Sequence, residues 1–309
     1  MRARMILLVG LPLAASALLA LAAPILQRRL APVSAVLTLT GLAVLAAGCR
    51  LVALGLLAVT AVAALPAWAS LGHGPFSSTP DRVPVAVALV AAALLLGHVR
   101  RVVPVAMRAG RQLHDAERVV RNAAPARLIL LPDSAPQAFA VGGITGGRIA
   151  VSAGMLAALD VPERSAMLAH EQAHLDGHHH VLKLAVALAA AADPLLRRLP
   201  ALVEQSTERW ADETTATRVG DRRLVARALS RAALASVQQQ RAAPGEAFER
   251  CDVPGRVRAL LQPAPSSSLR PAAVAALLAL LVVGATAGAA RDVDAMLDVA
   301  RATGSAAPG

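Results

Sequence analysis

The chain has 309 residues, of which 56% are hydrophobic and 17% are charged, with a mean hydropathy of +0.56. Soluble domains carry about a quarter charged residues, so this composition excludes an ordinary soluble domain, and it excludes a disordered chain as well. The net charge of +11 would suit nucleic acid, but three Phe, two Trp and no Tyr offer few platforms for stacking bases. We therefore expect an integral membrane protein in contact with the lipid bilayer, with a polar portion and no direct nucleic-acid partner.

Four apolar regions are long enough to cross a membrane, which takes about 20 residues. The N-terminal region 1–99 contains three of them and the fourth lies near the C-terminus: Met5–Leu26, Leu30–Cys49 with Leu51–Trp68, Val83–Val99 and Pro271–Ala290. Arg50 interrupts the second region, which is either one long helix or two helices that turn near Gly48. No Pro or Asn favours a turn there, so we prefer one helix, and region 1–99 holds three or four spans.

The distribution of arginine indicates the topology. The loop at 69–82 has one Arg and one Asp, whereas 100–111 has four Arg. The positive-inside rule then places the polar portion 100–270 in the cytoplasm. Because the span 271–290 crosses the membrane once more, the tail 291–309 is expected outside. Arg2 and Arg4 fit the two-helix alternative better, and this conflict stays open. We expect a multi-pass protein of the inner cell membrane.

Two features of the spans invite a functional interpretation. Arg50 within a span can mark a functional site, but a snorkelling side chain or a helix end is the simpler interpretation. Gly284 and Gly288 have the small-xxx-small spacing that lets helices approach closely. They serve either packing within the chain or a homodimer through the last span.

The polar portion predicts a few short strands followed by helices. A juxtamembrane helix is expected over 104–122, a strand over Arg127–Leu131, and a hairpin from Phe139–Val141 and Arg148–Ser152. Helices follow to about residue 175, over Val181–Ala192, over 201–219 and over 221–239. The expected fold is therefore mainly α, with transmembrane helices and a small α+β domain.

The first of these later helices has clear end signals. Asp160 is placed as N-cap, Pro162 lies in the first turn and Glu163 stands three residues after the cap. The helix is expected to end at Gly177, because glycine is the residue most often found just after a helix C-terminus.

This helix contains the string HEQAH, with His170, Glu171 and His174. Histidines at i and i+4 project from one helical face, so their imidazoles can meet at one tetrahedral Zn²⁺. Glu171 points toward the same site without binding the metal. It can take a proton from a water that the metal activates and return it to a leaving amine.

A catalytic zinc site needs a third protein ligand, and two residues compete for this role. His180 completes an H-E-x-x-H-x-x-G-x-x-H pattern, but that pattern also requires a downstream methionine turn, and the only later methionine is Met296. Glu208 lies on a later helix, on one face with Glu204 and Asp212. We favour Glu208, with Asp212 one turn on as a hydrogen-bond partner of a ligand histidine.

With apolar spans, HEQAH, then ERWAD (residues 208–212) and a final span, the chain resembles the BlaR/MecR antirepressor-type membrane zinc peptidases, with HtpX-type proteases as relatives. The resemblance covers about residues 80–290. It implies a gluzincin-like domain, Glu208 as third ligand and Asp212 as its partner. It also implies that the segment around Ala138–Ser152 supplies an edge strand to which substrate adds.

The chain also departs from that pattern. Only 19 residues follow the predicted last span, so we expect no penicillin-binding sensor domain of the kind found in those relatives. No Tyr is present to stabilise the tetrahedral oxyanion, and the candidates for that role are His178, His179, His180 and Arg218.

The sequence therefore predicts a membrane zinc endopeptidase that cleaves a protein or peptide, with a transcriptional repressor or a damaged membrane protein as candidate substrate. The alternative is a non-proteolytic membrane protein that binds or senses metal through the cluster His170–His180.

Overall fold

In the computed structural model, the described residues are 2–63, 85–121, 127–142, 147–242 and 252–264. Most of them are helical, with one three-stranded sheet, so the expected mainly α class with a small α+β part is confirmed. The elements in chain order are α1 (Arg2–Arg29), α2 (Pro32–Ala63), α3 (Val85–Arg121), β1 (Leu128–Leu131), β2 (Ala138–Val141), β3 (Arg148–Ser152), α4 (Ala153–Ala158), α5 (Val161–Asp176), α6 (His179–Ala192), a 3-10 turn (Pro194–Leu196), α7 (Leu199–Val219), α8 (Arg222–Ala242) and α9 (Val253–Leu260). The predicted span Pro271–Ala290, the tail 291–309 and the loop 69–82 lie outside the described residues.

The second apolar region is one helix, as preferred from the sequence: α2 continues through Arg50 without a break. Two stretches of the described chain, Pro32–Gly55 and Leu89–Asp115, are long and apolar enough to cross a membrane.

Helix α3 differs from the prediction. The sequence suggested a span ending at Val99 and a separate polar helix from about residue 104, but a single helix runs from Val85 to Arg121. Pro104 lies inside this helix. A proline removes one backbone hydrogen bond, but the hydrogen bonds on either side of it can still continue the helix.

The N-terminal helices share a hydrophobic core with the later helices. Small and aliphatic side chains of α1 and α2, among them Ala23, Ala35 and Leu39, are buried against α6, the 3-10 turn and the first half of α7. Val186 and Ala189 on α6 belong to this core, which explains an apolar helix too short to span a membrane. The helices that follow HEQAH are therefore packed directly on the apolar helices.

Arg50 is part of this packing, and the interpretation of a snorkelling side chain or helix end is wrong. Its Nη1 donates to Oδ1 of Asp193 at 2.8 Å, and Asp193 is fully buried. Asp193 ends α6, and the same oxygen accepts the backbone N–H of Leu195 at 3.1 Å. The ion pair thus joins the middle of α2 to the turn between α6 and α7.

The sheet has the strand order β1-β3-β2, with β1 parallel and β2 antiparallel to β3. The predicted hairpin is confirmed, with Phe139 opposite Ala150. Ile149 and Val151 of β3 pack with Met167 of α5, which places the sheet beside the helix that carries HEQAH. Within the described residues β2 is an edge strand of this sheet, and it contacts α5.

Helix α5 begins as the sequence predicted. Asp160 accepts the backbone N–H of Glu163 at 3.0 Å, and the Glu163 carboxylate accepts the N–H of Asp160 at 3.1 Å, which completes a capping box. The helix ends at Asp176, but the left-handed residue after it is His178, with φ 49°, rather than Gly177, with φ −80°. Gly177 is needed for another reason: a Cβ there would lie 2.3 Å from Nε2 of His179.

The Arg50–Asp193 pair gives a stability prediction. Arg50→Leu should destabilise the protein by about 3 kcal/mol, because it leaves the buried Asp193 carboxylate without its counter-charge. Thermal unfolding of the full chain in detergent should show a lower midpoint. The double variant Arg50→Leu/Asp193→Asn should recover most of the loss, and Arg28→Leu, at an exposed arginine of α1, should have little effect. An unchanged midpoint for Arg50→Leu would show that the pair is not stabilising.

Candidate metal centre

Helices α5 and α7 bring two histidines and one carboxylate to a common point. Nε2 of His170 and Nε2 of His174 lie 3.1 Å apart, as expected for residues one turn apart on one helical face. Glu208 faces them from α7, with Oε2 at 3.5 Å from Nε2 of His170 and Oε1 at 3.5 Å from Nε2 of His174. Among the described residues this is the one group of three side chains that could hold a metal ion.

The geometry of the group suits a small divalent cation. Tetrahedral ligands about 2.0–2.1 Å from a Zn²⁺ ion lie roughly 3.4 Å from one another. The two imidazole nitrogens are 3.1 Å apart, and each of them lies 3.5 Å from a different oxygen of Glu208. With one ligand atom from each residue, the three atoms lie within 4.8 Å of one another. Two imidazoles and one carboxylate, with room for a further ligand, are also the donor set of a catalytic rather than a closed structural zinc site.

A layer of polar side chains supports these three residues. Oδ1 of Asp212, one turn after Glu208 on α7, lies 3.2 Å from Nδ1 of His170. Arg256 of α9 donates through Nε and Nη2 to the two oxygens of Asp212, both at 2.7 Å. Its Nη1 lies 3.1 Å from Oε2 of Glu208. On the other side, Nζ of Lys183 lies 3.3 Å from Oε1 of Glu208.

These contacts set the charges of the site. Burial alone would lower the pKa of His170, but hydrogen bonds to Asp212 and Glu208 outweigh it and raise that pKa to about 9. Burial alone would raise the pKa of Glu208, but hydrogen bonds from His170 and His174 and the charge of Arg256 hold it well below its usual range. At neutral pH the imidazole of His170 is therefore protonated on both nitrogens in the metal-free site, and a metal that binds it must displace one of these protons.

His179 is a further residue in contact with the group, and the sequence suggested it only as an oxyanion donor. It is 1% exposed, and its Nδ1 lies 2.8 Å from Nδ1 of His174. Burial, together with electrostatic repulsion from neighbouring groups such as the Lys183 ammonium, lowers the pKa of His179 to about 3. Its ring packs on Trp210, with centroids 4.5 Å apart, so Trp210 serves packing, as the sequence suggested.

The other predicted residues lie elsewhere. His180, the alternative third ligand, is exposed, and its ring lies against Gly142, where a Cβ would come within 2.4 Å of it. His178 is exposed, with Nδ1 at 3.2 Å from the carbonyl oxygen of Asp176, and Arg218 forms an ion pair with the Asp176 carboxylate. None of the three belongs to the His170–His174–Glu208 group. The oxyanion roles suggested for His178, His180 and Arg218 stay predictions.

Sequence reasoning missed Arg256. The residue lies 44 positions after Asp212, and its partner can be identified only from the fold. The local pattern around it marks a helix start, because Asp252 accepts the N–H of Gly255 as N-cap and Pro254 lies in the first turn. Nothing in that pattern indicates that the helix delivers a buried guanidinium to the metal centre.

Beside the group lies a cavity of about 220 Å³. Its polar side consists of His170, Glu171, Glu208, Asp212 and Arg256. Small and apolar side chains from β2, α4, α5 and α8, with Ser236, form the rest of the wall: Ala138, Met155, Ala166, Met167, Val225, Ala228, Leu229, Ala232 and Ala233. Glu171 thus lines a cavity whose remaining wall is suited to an apolar side chain of a bound molecule.

The raised pKa of His170 predicts how metal binding depends on pH. Between about pH 6.5 and 8.5 the affinity for Zn²⁺ should rise about tenfold per pH unit, because below a pKa of about 9 one proton must leave His170 first. Calorimetric titration in buffers of different ionisation enthalpy counts the released proton. Binding that releases no proton and has the same affinity across this range would contradict the geometry.

Arg256 gives a second prediction for the site. Arg256→Gln should weaken Zn²⁺ binding by about 10–100-fold, because Asp212 loses the donors that hold it against His170. Arg256→Lys should restore only part of the affinity, since an ammonium cannot form the bidentate hydrogen bonds that the guanidinium donates to Asp212. Arg258→Gln, at an exposed arginine of the same helix, is the matched control. Equal affinities for the two glutamine variants would rule out a supporting role for Arg256.

Comparison with known proteins agrees with this geometry. The model of peptidase family M48 matches residues 108–278, which is more than half of the chain and includes α5, α7 and α9. No curated protein and no solved structure matches the chain. The chain therefore belongs to peptidase family M48, a family of metallopeptidases.

Proposed function

We propose that this chain is a membrane-anchored, zinc-dependent endopeptidase with His170, His174 and Glu208 as metal ligands and Glu171 as general base. The observation that carries the proposal is that Glu171 faces a cavity whose polar wall includes His170 and Glu208. Membership of a metallopeptidase family supports the same reaction class.

The reaction depends on a proton transfer by Glu171. A Zn²⁺ ion held by the three ligands would lower the pKa of a water molecule and polarise the carbonyl of the scissile peptide bond. Glu171 takes the proton of the attacking water and delivers it to the nitrogen of the leaving amine. Asp212 holds the ring of His170 in place through Nδ1, and Arg256 in turn holds Asp212.

Two features of the described chain suit an extended peptide as substrate. Strand β2 is an edge strand of the described sheet and contacts α5, so a peptide added to it as a further strand would run past HEQAH. The apolar wall of the cavity, with Ala228 and Ala232, would accept an apolar side chain close to the scissile bond. We therefore propose a protein substrate that presents an extended, apolar segment.

The membrane anchor is proposed from the exposed surface of the N-terminal helices. Leu21, Ile25 and Leu37 on α1 and α2, and Leu89 and Leu96 on α3, are among many exposed aliphatic side chains there. Large exposed apolar surfaces of this kind mark sites of contact with a membrane or another protein, and the two apolar helices favour the membrane. The arginines at 100–111 support a cytoplasmic active site. Kinship with the antirepressor type, and with it a transcriptional repressor as substrate, is likewise a proposal.

Glu171→Gln tests the reaction. This variant should lose cleavage of denatured casein or of a candidate repressor by at least about a thousandfold, because removal of the general base takes away proton transfer at both steps. Its zinc content should equal that of the wild type, since Glu171 is not a ligand. Gln172→Ala, at the adjacent residue whose amide contacts Asp176 on the outside of α5, is the matched control. A Glu171→Gln variant that still cuts would refute the mechanism.

A further inference from the structure

His179 lies behind one of the two ligand histidines. It is the first residue of α6, it is 1% exposed, and its ring meets that of His174 edge to face with centroids 4.8 Å apart. Nδ1 of His179 and Nδ1 of His174 are 2.8 Å apart. That distance is typical of a hydrogen bond, so one of the two nitrogens carries a proton and donates it to a hydrogen bond that the other accepts.

The position of His174 decides which nitrogen donates. Its Nε2 is directed at Nε2 of His170 and at Glu208, so this nitrogen is the one available to a metal. An imidazole that binds a metal through Nε2 carries its proton on Nδ1. His174 is therefore the donor and Nδ1 of His179 is the acceptor, which places the proton of His179 on Nε2.

The backbone and the packing hold His179 in this orientation. The left-handed conformation of His178 turns the chain into α6, and the missing Cβ of Gly177 makes room for the His179 ring. Trp210 covers another side of the ring. Nε2 of His179 is buried and has no hydrogen-bond partner within the described residues. The polar contact that the structure shows for this side chain is thus the one with His174.

We propose that His179 is a positioning residue for the metal centre: it accepts the Nδ1–H of His174 and so fixes the tautomer and the ring orientation that present Nε2 to the metal. This inference rests on the metal site proposed above. The two ligand histidines are then supported differently. His170 donates to the carboxylate of Asp212, whereas His174 donates to the imidazole of His179. The site gains an oriented ligand without a further negative charge beside Glu208 and Asp212.

The test is the affinity of the full chain, in detergent, for Zn²⁺ in competition with a chelator. His179→Leu removes the acceptor and should weaken binding by about 10–100-fold. His179→Asn places an amide oxygen where Nδ1 lies and should restore most of the affinity. His179→Gln places its oxygen nearer the position of Nε2 and should not. His180→Leu, at the exposed neighbouring residue, is the control and should bind as the wild type does.

A second measurement reports on the hydrogen bond itself. In the Co²⁺-loaded protein, the Nδ1–H of His174 should give a slowly exchanging, paramagnetically shifted NMR signal that His179→Asn keeps and His179→Leu loses. Wild-type affinity and an unchanged signal in His179→Leu would overturn the proposal. Equal losses of Zn²⁺ affinity in His179→Asn and His179→Gln would also overturn the proposal, because the effect would then come from packing. This comparison remains decisive even if His179→Leu fails to fold.

Both readouts are independent of cleavage. A protein that binds Zn²⁺ through a supported His174 but cuts no substrate would refute the proposed peptidase activity and leave the role of His179 intact. An active peptidase in which none of the His179 variants alters metal affinity would refute the role of His179 and leave the proposed peptidase activity intact.

Discussion

The largely buried carboxylate of Glu208, whose side chain is 13% exposed, is the constraint on which the centre depends. A charged carboxylate that is removed from water is stable only where positive or hydrogen-bonding groups surround it. Here two imidazoles approach from α5, a guanidinium from α9 and an ammonium from α6. Four helices must therefore meet around one side chain. Without a metal, the extra proton on His170 supplies part of the positive charge. The three residues His170, His174 and Glu208 form a group that could hold a metal ion.

The same helices connect the centre to the apolar part of the chain. The first half of α7, which leads to Glu208, shares its core with α1 and α2. Helix α6, whose first residue is His179, also contacts α2. The Arg50–Asp193 pair ties the far end of α6 to α2. The sheet and α8 contact α5, the helix that carries His170 and His174.

Local signals allowed much of this structure to be predicted. The spacing of His170 and His174, the capping box at Asp160 and the hairpin around Ala150 each depend on residues close together in the chain. The shared face of Glu208 and Asp212 followed from the period of α7, whereas the choice of Glu208 as third ligand also used the preceding HEQAH string and the family resemblance. The partners of Arg256 and of Arg50 could not be predicted, because they depend on which helices meet after folding. Nor did the sequence show the ring of His179 turned inward, since that depends on a left-handed residue that is a histidine rather than a glycine.

X-ray absorption spectroscopy of the zinc-loaded full chain tests the central claim most directly, because it identifies the atoms bound to the metal. The geometry predicts two imidazole nitrogens and an oxygen from the protein, a spectrum that His180→Ala leaves unchanged and a carboxylate oxygen that Glu208→Ala removes. Three imidazoles around the zinc, with one of them lost in His180→Ala, would contradict the assignment of Glu208 and the account of the site built on it.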